Sequence, residues 1–108
     1  MLGVVLAMLH LRGTSQRKPK LAVLHGLAGA TGFGLLLIAL QGPRRGDAMG
    51  VGSFGVTASV LFGAALVFGP FIPFSRRRSP GATGVTIATH ACLAIAGFVL
   101  YLAWASIG

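Results

Sequence analysis

The chain has 108 residues, 55% of them hydrophobic and only 9% charged, with a mean hydropathy of +0.85. Soluble domains carry about 25% charged residues, so an ordinary soluble domain is excluded. The net charge of +8 comes from Arg and Lys placed only at the ends of apolar runs, which is a topological pattern rather than a nucleic-acid surface.

The first apolar segment, Met1–Leu11, spans only about 16 Å as a helix, roughly half a bilayer core. Either the natural chain starts upstream, or this short helix enters part way and its neighbours shield it. His10 lies near its end with a surface or headgroup role, or as a hydrogen-bonding partner of a bound group. The basic turn "RGTSQRKPK" follows.

Leu21–Leu40 is the first segment long enough to cross the roughly 30 Å hydrocarbon core. The turn "QGPRRGDA" leads to Met49–Phe74, in which Gly55, Ser59 and Gly63 recur every four residues as a seam for close helix packing. Pro70 and Pro73 remove backbone donors and should kink or finish that helix. After "SRRRSP" comes Gly84–Ile107, with Tyr101 and Trp104 at the depth of an aromatic belt. Cys92, the one cysteine, is expected to be a small buried hydrophobe pointing away from the His90 face.

In lipid these segments must be helices. The fold class expected is all-α: one integral membrane domain over residues 1–108, a four-helix bundle of two parallel helical hairpins with a short first helix. The first and third turns hold Arg12, Arg17, Lys18, Lys20, Arg76, Arg77 and Arg78, and the middle turn holds Arg44 and Arg45, offset by Asp47. Seven basic residues against two place the first and third turns in the cytoplasm and both termini on the other side, as in a bacterial inner membrane.

"HGLAGATGF" begins at His25 and "HACLAIAGF" at His90. Aligning them pairs Gly29 with Ala94, Gly32 with Gly97 and Phe33 with Phe98, so residues 1–41 and 49–107 read as two copies of one hairpin. The second and fourth helices then lie diagonally, with their histidines facing each other at one depth. An iron porphyrin with two axial imidazoles needs such a pair. Gly29, Gly32, Ala94 and Gly97, on the histidine faces, would leave room for the macrocycle. Arg17, Lys18, Lys20 and Arg76 to Arg78 would meet the propionates. The plainer reading of each histidine is a hydrogen bond across a helix contact.

At these residues the chain resembles the transmembrane b-type cytochromes, whose bundles hold haem between histidines on alternate helices. It is also similar to small two-hairpin bacterial membrane proteins that repeat a "LHG…GF.LL" hairpin, here "LAVLHGLAGATGFGLLL" and, more loosely, "TIATHACLAIAGFVLYL". The resemblance implies His25 and His90 as axial ligands of one haem b. A second haem would need histidines in the other half of the membrane, and none is there.

The expected function is an electron-transfer subunit exchanging electrons with a quinone or a partner redox protein. The alternative is a cofactor-free accessory subunit of a larger respiratory or photosynthetic complex. Chlorophyll ligation and a small exporter rank below these. No Ser-His-Asp set, phosphate loop or HExxH motif occurs, so any chemistry would be carried by a bound cofactor rather than by a stand-alone enzyme site. The expected partners are membrane lipid and other membrane subunits.

Overall fold

The computed structural model describes residues 2–12 and 19–107. Among them are four α-helices: α1 (Leu2–Leu11), α2 (Pro19–Ala39), α3 (Phe54–Ser75) and α4 (Pro80–Ser106). The last three are long and apolar enough to cross a membrane, which is the make-up of an integral membrane protein. The first is short, as its length dictates.

Helix limits differ from the apolar runs where local chemistry intervenes. The run from Met49 begins with a 3₁₀ turn, Asp47–Met49, flanked by Gly46 and Gly50 at φ 77° and 74°. Those left-handed angles suit glycine and postpone α3 to Phe54. Conversely, α4 starts four residues before its apolar run because "SP" is a start signal. The Ser79 hydroxyl accepts from the Ala82 N–H at 3.1 Å, and Pro80 occupies the first turn. Ser79→Ala is expected to lower stability by about 1 kcal/mol, read as a shift in the denaturant midpoint of the purified protein. A midpoint unchanged within error would mean the cap is replaced by solvent.

Pro70 and Pro73 do not finish α3, which runs through both to Ser75. Beyond them a small polar cluster fixes the α3–α4 turn. The buried Ser75 hydroxyl donates to Ile72 O at 2.7 Å, and that of buried Thr83 donates to Ser79 O at 3.1 Å. The two hydroxyls lie 3.5 Å apart, so each apolar helix end closes without an orphaned donor.

α3 and α4 pack closely along their length, α2 lies on α3 less extensively, and α1 meets α2 over a short stretch. This packing is uneven rather than two-fold. The core collects Leu36 of α2, Ala58 of α3 and Trp104 of α4. Gly55, Ser59 and Gly63 do form a contact face: a Cβ on Gly55 would press on Leu40 and Trp104, one on Gly63 would touch Phe33, and Ser59 is buried. The chain therefore has two distinct ends. Arg45, Gly55 and Trp104 mark one, and the Arg76–Arg78 turn marks the other.

Candidate functional site

Six residues into α2, His25 stands about 9 Å along that helix; His90, ten residues into α4, stands about 15 Å along its own. Despite these unequal offsets the two rings meet. Their centroids are 6.0 Å apart and their planes cross at 79°. α2 and α4 both pack on α3, and their imidazoles come together beside it.

The surroundings of each ring follow from small residues. His90 Nδ1 lies 2.8 Å from the carbonyl oxygen of Ala65 on α3. A carbonyl only accepts, so Nδ1 carries the proton and the Nε2 lone pair is left available. Gly69, one turn further along α3, lets the ring approach: a Cβ there would lie 3.4 Å from His90 Cε1. On the other side, Gly3 of α1 backs onto His25, where a Cβ would lie 3.2 Å from Cε1. Both histidines are half-buried.

Two imidazole nitrogens sharing one metal ion at about 2 Å each put ring centroids roughly 6 Å apart. The observed separation fits that requirement. A backbone carbonyl accepting from the distal N–H is also the usual orienting contact of a ligating histidine. Among the described residues no group of three or more His, Cys, Asp or Glu converges on a point.

The remaining sequence-derived positions divide. Gly29 and Gly32 line a cleft of about 540 Å³ between α2, α3 and α4, walled also by Phe33, Leu36, Phe62, Phe98, Tyr101 and Trp104. Gly97 is not on that cleft. It is buried against α3, where a Cβ would meet Leu61 and Phe62 at 3.3 Å, so its role is helix contact. Ala94 is half-buried on α4. The symmetric four-residue slot is thus present on the α2 side only.

Lys20, Arg76, Arg77 and Arg78 are exposed at the polybasic end; Arg17 and Lys18 lie outside the described residues. His10 is exposed. Cys92 is exposed rather than buried, because α4 packs on α3 along one face and Cys92 lies on another. Ser59 and Thr86 return their hydroxyls to Val56 O and Ala82 O on their own helices, so they line no polar path.

Two features were not read from the sequence. Gly3 as the seat of His25 gives no signal, since a glycine in an apolar run has many uses. Arg45 over the Trp104 ring, 5.9 Å from its centroid, joins a turn to a helix end 59 positions away.

The fold and the paired rings define a class: an apolar helical protein, with three helices fit to span a membrane, that brings together two histidines from different helices. No protein family, curated protein or solved structure matches the chain.

Proposed function

We propose that the protein is a membrane electron-transfer subunit in which His25 and His90 are the axial ligands of one b-type haem. The single observation that carries this is the 6.0 Å separation of two imidazoles from different helices. The Ala65 carbonyl supports it by engaging the His90 Nδ1–H, which leaves the Nε2 lone pair free to bind a metal. Such a haem supplies reversible one-electron chemistry when bound. The chain's part is to hold both rings together and to keep water from them with apolar helices.

In this reading the chain is one transmembrane domain of two parallel hairpins, its polybasic end in the cytoplasm of a bacterium. Lys20 and Arg76 to Arg78 then stand on the side where propionates would emerge. A quinone or a partner redox protein completes the circuit.

The second reading, a cofactor-free accessory subunit of a larger membrane complex, rests on α2. That helix has one buried residue, Leu36, and exposes Val23, Leu24, Leu27, Leu35 and Ile38. A reduced-minus-oxidised spectrum of protein purified from haem-sufficient cells separates the two. A reversible b-type difference band with about one haem per chain is expected, and a colourless folded protein overturns the haem reading.

A further inference from the structure

The α2–α3–α4 cleft plays no part in ligating the histidine pair, and its shape and charge go beyond the electron-transfer reading. We propose that it binds one acyl chain of an anionic phospholipid, whose phosphate pairs with Arg45.

The cleft exists because α2 and α4 both pack on α3 and approach each other only slightly. Glycines on α2 and large side chains on α4 then leave a groove open to the side. Along α2 its lining runs from Gly29 to Ala39, about 15 Å, which is half of a roughly 30 Å hydrocarbon core. Its volume of about 540 Å³ falls in the range of ordinary small-ligand pockets, about 300–1,000 Å³. The walls are apolar and aromatic, the environment an acyl chain prefers once inside the protein.

Charge decides which lipid. Arg45 is the one charged residue on the cleft, and it stands at the end where Trp104 closes it. The Trp104 ring is 5% exposed and therefore fixed, and the Arg45 guanidinium lies 5.9 Å from its centroid. The chain has a single acidic side chain, Asp47, and it faces Arg44 at 3.7 Å. No other acidic side chain exists to meet Arg45. Arg45 is therefore free of any acidic side chain in this protein, and a phosphate joined to an acyl chain satisfies cation and groove together. A planar guanidinium suits a phosphate in two-point contact.

Trp104 is the only tryptophan, so it reports occupancy directly. The full-length protein in zwitterionic bilayer discs is titrated with acyl-brominated phosphatidylglycerol or, separately, acyl-brominated phosphatidylcholine, and Trp104 emission is followed on one preparation. One arginine near a membrane surface corresponds to about a fivefold preference, so the anionic lipid should quench at about one fifth of the mole fraction. Arg45→Gln should bring the two titrations together, and Arg45→Lys should keep most of the difference. A Cβ on Gly32 meets nothing within 4 Å; Gly32→Leu should therefore fold, occupy the groove and weaken quenching by both lipids. Added inorganic phosphate should not compete. Equal potency of the two lipids in the natural protein overturns the proposal. So does a preference that survives Arg45→Gln, or reversal of quenching by free phosphate, which would mark a soluble-anion site. Each titration is read against the lipid-free emission of the same preparation, so failure here is distinguishable from failure of the haem reading.

Discussion

His25→Ala and His90→Ala are each expected to abolish the b-type difference band completely, since one iron cannot keep two axial imidazoles when either is gone. Their other consequences should differ. His90→Ala also removes the bond to Ala65 O, and interhelical hydrogen bonds in membranes are worth about 0.6 kcal/mol on average and at most about 1.7. Among the described residues His25 makes no such bond; its ring is held by Gly3 and by His90 itself. The stability loss should therefore be larger for His90→Ala, and loosening of α1 larger for His25→Ala. Bound haem is measured by extraction and absorbance, and stability by unfolding in mixed micelles. Free imidazole added to either variant should restore part of the band, which a purely structural role would not allow. Full absorbance retained in either alanine variant contradicts axial ligation.

Gly55→Leu should be the most damaging substitution in the helix contacts. Already at Cβ it would come within 2.8 Å of Leu40 Cδ2 and of Trp104 Cε2. Leu40 can move, but Trp104 is buried beside Ala58 and Leu36 and has nowhere to go. α3 and α4 must separate at that end, for which overpacking typically costs about 1–3 kcal/mol. In lipid the apolar drive between helices is absent and close packing is most of what holds them, so the loss should fall at the upper end. Gly26→Leu is the control: a Cβ there meets nothing within 4 Å, and its unfolding midpoint should barely change. Equal effects of the two substitutions would show that α3 and α4 are not in close contact in the bilayer. Because Trp104 seats Arg45, Gly55→Leu should also erase the lipid preference.

Much of the secondary structure was legible because bilayer length, basic turns and caps are local signals. Leu21–Leu40, Met49–Phe74 and Gly84–Ile107 each correspond to one long helix, and the ends that moved by more than two residues are those where Gly50 and Ser79–Pro80 act through backbone geometry. The Gly55–Ser59–Gly63 spacing pointed to the α3 contact face, since only small side chains let two backbones approach. The histidine pair was legible as a repeat, although the repeat also suggested a two-fold symmetry that the packing does not follow.

What the sequence determined by itself is that this chain is helical, apolar enough to span a membrane three times, and carries a histidine in the first half of each of two long apolar segments. Tertiary structure alone decided that those rings meet, that Gly97 packs on α3 while Gly29 and Gly32 face a cleft, and that Arg45 rests on Trp104. The reason is that these helices are apolar on every side. With no polar face to point outward, periodicity cannot say which side meets which neighbour, and only the fit of small residues against large ones makes that choice.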